Sequence, residues 1–156
     1  MKIRKANQGD AEPLGALIFS AAPITLAATF DINKTLSAIN FLTFSLTSEA
    51  GQYGYGNHWV AEVDAQVVGC VSTWHSDLPK AFHQATLTKL VEFYSIEHSL
   101  AVAQASLTLQ DCMPKPQQHQ WCIGHFAVDG NYHRKNIGSS LLNFMHKQGL
   151  AAGKTS

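Results

Sequence analysis

The twenty residues "FAVDGNYHRKNIGSSLLNFM", Phe126 to Met145, pose the chemical question. A short apolar run ends at Val128. A polar turn follows, and His133, Arg134 and Lys135 bring basic side chains to the start of an apolar pattern with helical spacing. Helix N-termini expose unpaired N–H groups and carry partial positive charge, so a strand, a basic loop and a helix start in that order suit a bound phosphate. Asn136 tolerates a left-handed backbone, Gly138 permits close approach, and Ser139 and Ser140 fit the first turn after Ile137. The same order also fits an ordinary strand-to-helix turn that contains a glycine.

Two other phosphate motifs fail. A dinucleotide fingerprint needs G-x-G-x-x-G after a strand; "GYGNHW" has only the first two glycines and leads into a strand. "GLAAGKTS" resembles a P-loop, but its glycine spacing is one residue short and it follows a helix.

The apolar run "WCIGHFAV" contains no Asp or Glu. Its titratable side chains are Cys122 and His125, which strand alternation sends to opposite faces. A histidine titrates near neutrality by default, so His125 is the candidate base or proton relay. A histidine packed into a half-buried sheet is the other reading. Cys112, His119, Cys122 and His125 match no standard zinc spacing, and no metal is expected. The glycine-rich "GQYGYGNHW" offers Tyr53, Tyr55, His58 and Trp59 as large, half-polar side chains for an acceptor pocket. Trp74 and His75 end the next strand and point to the same mouth. Tyr55, His58 and Trp74 are the substrate-binding candidates.

These residues need a scaffold of ordinary composition. The chain has 156 residues, 46% hydrophobic and 14% charged, enough for one domain with a core. Lys plus Arg equals Asp plus Glu at 11 each, so no basic excess points to nucleic acid. No apolar segment is long enough to span a membrane, and "MKIRKANQGD" lacks a signal-peptide core. Three cysteines make no secreted disulfide framework, and a cytoplasmic setting is expected.

"KIRKA" alternates as a short strand. Asp10 is placed to cap a helix carrying Leu14, Leu17 and Ile18. A second helix is expected from about Thr35 to Thr47. "HWVAEV" and "QVVGCVSTW" form a hairpin around Asp64-Ala65. Helix resumes after Pro79 to about Thr108, broken near Ser95. "DCMPKPQQHQ" reads as loop, "WCIGHFAV" as strand, and the last helix ends near Gly149. The result is a mixed α/β layer in one domain, with a helical insertion over about 79–109.

"VDGNYHRKNIGSSLL" resembles the acetyl-CoA signature of the GNAT superfamily of N-acetyltransferases: a strand ending in Val, a short turn, then [QR]-x-x-G-x-[GA] opening a helix. The N-terminal "IRKA" strand, the helices after it and the hairpin "WVAEVDAQVVGCVS" match that family's order, so the resemblance spans nearly the whole chain. It departs at His133, where the family prefers Gln or Arg, and at Asn136, where it prefers Gly. The resemblance implies an acyl-CoA N-acyltransferase-like fold. It implies direct transfer of an acetyl group from acetyl-CoA to a primary amine of a small molecule or peptide. It also implies that the backbone of Phe126, Ala127 and Val128 pairs with the pantetheine arm and that the amides of Arg134 through Ser139 cradle the pyrophosphate. The family continues with another strand where this chain reads "GLAAGKTS". The expectation is a C-terminally incomplete domain whose exposed edge pairs in a homodimer. The alternative function is a catalytically incomplete module that binds acyl-CoA or only associates.

Overall fold

A computed structural model describes residues 1–111 and 115–155. Four strands, β1 (Lys2–Lys5), β2 (His58–Val63), β3 (Gln66–Trp74) and β4 (Cys122–Val128), form one sheet in the order β1-β2-β3-β4, every neighbour antiparallel. The hairpin turns at Asp64 and Ala65, both with positive φ (49° and 64°), the geometry whose twist matches paired strands.

Helices cover both faces. α1 (Ala11–Ala21) and α3 (Ala38–Leu46) bury Leu14, Ile18, Leu42 and Leu46 against Val60 and Cys70. On the other face α5 (Ile137–Ala151) buries Ile137, Leu141 and Met145 against Ala61, Val68 and Val71. A third cluster lies off the sheet: Phe30 and Phe41 stack at 5.0 Å, and Leu90, Tyr94 and Val102 of α4 (Lys80–Asp111) close over them. Ser95 (φ 69°, ψ 170°) breaks α4 into two pieces, as the sequence predicts.

Three expectations change. The segment between α1 and α3 holds an additional helix, α2 (Pro23–Phe30), with Pro23 at its start, where a missing N–H costs nothing. The helix expected from Thr35 begins only at Ala38; Asn33 instead accepts from the Thr35 and Leu36 amides in a side-chain-closed turn. Asp10 stands at the N-cap of α1 but makes no cap bond there. Its carboxylate accepts from the Asn7 amide (2.8 Å) and from Arg4 Nη1 and Nη2 (2.7 and 2.9 Å).

Arg4 also donates through Nε to Glu62 at 2.7 Å, so one guanidinium ties β1 to β2 and to the entry of α1. Burial alone would raise the Asp10 pKa, but the Arg4 and Asn7 bonds outweigh it and hold the carboxyl below its usual range. Arg4→Ala strands this buried carboxylate and should cost about 2 kcal/mol in urea denaturation, discounted because Arg4 is partly solvated.

Candidate active site

The site is built around an irregularity in β4. Cys70 pairs with Ala127 and Ser72 with Gly124, so two residues of β3 span three of β4. The extra residue is a β-bulge at His125, whose φ is +43°. The bulge overturns the alternation expected for this strand. Ile123 lines the α5 face beside Leu142 and Met145. His125 meets His58 and Tyr53 on the α1–α3 face, onto which Gly124 and, by alternation, Cys122 also turn. Cys122 and His125 therefore share a face. The Cys70 thiol donates to the His125 carbonyl at 3.1 Å and pins the bulge. Burial pushes the Cys70 pKa up to about 12, so it acts there as a thiol.

The His125 ring is held from two sides. Tyr53 stacks on it, offset, with centroids 5.2 Å apart and planes at 19°. Its Nδ1 lies 2.9 Å from His58 Nε2. The two imidazole planes differ by only 9° and their centroids are 5.2 Å apart, so the rings lie head to tail in one plane. His58 Nδ1 in turn reaches the Gly54 carbonyl at 2.8 Å. Burial lowers the pKa of His125 to about 4. Burial, then the charge of a protonated His125, lowers that of His58 to about 3. Both rings are neutral near pH 7. Among the described residues only Ser45 Oγ and Trp121 Nε1 are side-chain polar atoms buried without a partner. His125 Nε2 has no partner either and therefore reaches solvent.

The acceptor-side candidates separate. His58 is fully buried, so it lies behind His125 and not on a substrate surface. Tyr55 is half-buried in a one-turn 3-10 helix, Tyr55–Asn57, and packs on the α1–α3 core. Trp59 faces α5, with Lys5 Nζ 3.3 Å above its ring. Trp74 stands over Gly124, where any Cβ would come within 2.4 Å of its ring, so it walls the site one residue from His125. His75 turns away toward Trp121. The Gly54 carbonyl and the Cys70 thiol were not legible as site groups, because both act through buried backbone contacts that composition does not mark.

The basic loop runs from a one-turn helix, Gly130–Tyr132, to Asn136 at the N-cap of α5. Arg134 and Asn136 are both left-handed, with φ of 60° and 59°. Asn136 makes no side-chain cap. Among the described residues the amides of Arg134 through Ser139 have no hydrogen-bond partner, so six consecutive donors stand open. Successive N–H groups around left-handed residues form an anion-binding concavity. An Arg held at positive φ is strained, and such strain concentrates at functional sites. Arg134, Lys135 and Ser139 are exposed, whereas Ile137 is buried under the sheet. His133 Nε2 donates to the Val128 carbonyl at 2.8 Å and folds the loop back onto β4. A Cβ on Gly138 would lie 3.3 Å from the Phe126 ring, so this glycine also serves helix-to-strand packing.

The outer edge of β4 is unpaired among the described residues. The Asp129 amide donates inward to Val68, and backbone groups alternate sides along a strand. Ala127 therefore turns its backbone to β3, while Phe126 and Val128 face outward. Of the three residues expected to pair with an extended ligand, Phe126 offers both backbone groups and Val128 only its N–H, because its carbonyl already accepts from His133. A groove of about 130 Å³ lies between the start of β4 and the end of α5, lined by Trp121, Ile123, Met145 and Gly149.

Among the described residues no three His, Cys, Asp or Glu side chains converge as a metal site. Cys112 lies outside the described residues. No single described helix is long and apolar enough to cross a membrane.

No family model matches the sequence, and no curated protein matches it. Solved structures do resemble it. The crystal structure of an acetyltransferase superposes with a TM-score of 0.65 at 17% identity, covering 99% of this chain and 77% of that one. An N-acetyltransferase from Staphylococcus aureus Mu50 superposes with a TM-score of 0.60 at 15% identity, covering 95% and 76%. The chain has the acyl-CoA N-acyltransferase-like fold of the GNAT-type acetyltransferases.

Proposed function

We propose that the protein is an N-acetyltransferase that moves an acetyl group from acetyl-CoA to a primary amine of a small molecule or peptide by direct attack. The observation that carries the reading is the row of six open amides at the α5 N-terminus, at the end of a strand with an open edge, on an acetyltransferase fold. The amides of Arg134 through Ser139 bind the pyrophosphate, with Arg134 and Lys135 adding charge. The Phe126 carbonyl and the Val128 N–H pair with the extended pantetheine arm. The bound thioester supplies the acyl carbon. His125 Nε2 takes the proton that the attacking nitrogen sheds as the C–N bond forms. The outward Phe126 N–H is placed to steady the carbonyl oxygen as negative charge grows on it. The C–S bond then breaks, and the departing sulfur takes the proton from His125 Nε2 and leaves as the thiol.

The exposed apolar side chains Leu87, Val91, Ile96, Leu100 and Leu107 on α4 support a homodimer as part of this proposal, which light scattering across a dilution series measures.

The cofactor assignment is tested by calorimetry with acetyl-CoA. Arg134→Glu with Lys135→Glu alters two exposed side chains and should weaken binding about 100-fold, roughly tenfold per reversed charge, without changing the circular dichroism spectrum. Undiminished affinity would remove the loop from the site. Binding with no thiol release in the presence of any amine would favour the alternative, a module that holds acyl-CoA without turning it over.

A further inference from the structure

We propose that His58 is a positioning residue that, through the Gly54 carbonyl, dictates which nitrogen of His125 is free to accept a proton. The inference rests on the acetyl-transfer reading only for its kinetic consequence. A carbonyl oxygen can only accept, so His58 Nδ1, 2.8 Å from Gly54 O, must carry a proton. The neutral ring then has a bare Nε2. That nitrogen lies 2.9 Å from His125 Nδ1, so Nδ1 of His125 must be the donor. One proton remains to a neutral imidazole, and it is now committed. His125 Nε2, the nitrogen that reaches solvent, is left as a lone pair.

The alternative, in which a doubly protonated His58 donates to His125, is opposed by burial and by a neighbouring charge, which outweigh the Gly54 carbonyl. Burial disfavours the charge, and Lys5 on β1 adds a second positive charge nearby. The coplanarity of the two rings, at 9°, is what an in-line N–H···N bond requires. The carbonyl that starts the chain is itself fixed. Gly54 packs so tightly on the Glu49 and Ala50 carbonyl oxygens that no side chain fits there. This relay has no carboxylate. It orients the catalytic ring without raising its basicity, which suits a base that takes its proton from a nitrogen already acidified by bond formation.

Long-range 1H–15N spectra at pH 7 read the protonation of each ring nitrogen directly in the unmodified protein. The expected pattern is a protonated Nδ1 and a bare Nε2 on both His58 and His125. A protonated Nε2 on His125 overturns the proposal. Two variants add the kinetic arm. His58→Phe keeps a planar ring but no acceptor, and should move the His125 proton to Nε2 and lower kcat/KM about 100-fold, with acetyl-CoA affinity unchanged. His58→Gln restores an acceptor oxygen near the Nε2 position and should keep both the bare Nε2 and kcat/KM within about threefold of wild type. If the proton moves in His58→Phe and kcat/KM does not, the acetyl-transfer role of His125 fails while the positioning stands. If the proton does not move, the positioning fails.

Discussion

Lowering the pH from 7 to 5 will cost the fold about 4 kcal/mol through two rings. His58 and His125 titrate near 6.5 when unfolded but at about 3 and about 4 in the folded chain, burial being the main cause in both. A depressed histidine pKa means that the unfolded chain takes up the proton first. Stability is therefore complete above pH 6.5, falls as pH drops through that value, and stops falling only below the folded pKa values. At pH 5 each ring sits about 1.5 units below its unfolded pKa, or about 2 kcal/mol. Asp10, whose folded pKa is lowered, adds its own loss only below about pH 4, so it does not enter this window. Urea denaturation at pH 7 and at pH 5 measures the difference. His58→Gln should show about half the drop, because one of the two rings is gone. Equal stability at the two pH values would mean that the pair is not buried as described.

Gly54→Ala should destabilise the protein by about 3 kcal/mol, while Gly130→Ala should leave it unchanged. A Cβ at position 54 would stand 2.4 Å from the Ala50 oxygen and 2.5 Å from the Glu49 oxygen, both backbone atoms that cannot rotate aside. At position 130 it would meet nothing within 4 Å. To relieve the clash the chain must move the Gly54 carbonyl, and the buried His58 N–H then loses its acceptor. Thermal or urea unfolding of the two variants side by side gives the comparison. Parity between them would show that the loop can shift freely and that Gly54 does not fix the relay.

The parts of this fold that the sequence made readable are those with local signals. "HWVAEV" and "QVVGCVSTW" alternate on either side of Asp64-Ala65, and the hairpin has these bounds. The break expected near Ser95 is present at that residue. α2 escaped because eight residues are shorter than the stretch over which helical spacing can be read. The basic loop was legible because glycine, asparagine and basic residues mark both the turn and the ligand. The histidine pair was not. His58 sits among loop aromatics and reads as a surface group, yet the first residue of β2 points into the α1–α3 core. Nothing in "CIGHFAV" announces an extra residue, since the run alternates acceptably in either phase. Tertiary pairing alone decides it.

That extra residue also governs how β4 should respond to saturation mutagenesis. On the N-terminal side of the bulge the α5 face is served by Ile123, an odd position; beyond it the same face is served by Phe126 and Val128, both even. A map of tolerated substitutions along this strand should therefore change parity at residue 125, like a zip with one tooth doubled. Deleting the codon for His125 would not simply remove a side chain. It would bring the two halves back into regular step with Ile123 still toward α5 and Cys122 and Gly124 still on the α1–α3 face, and no side chain would stand where the relay now ends.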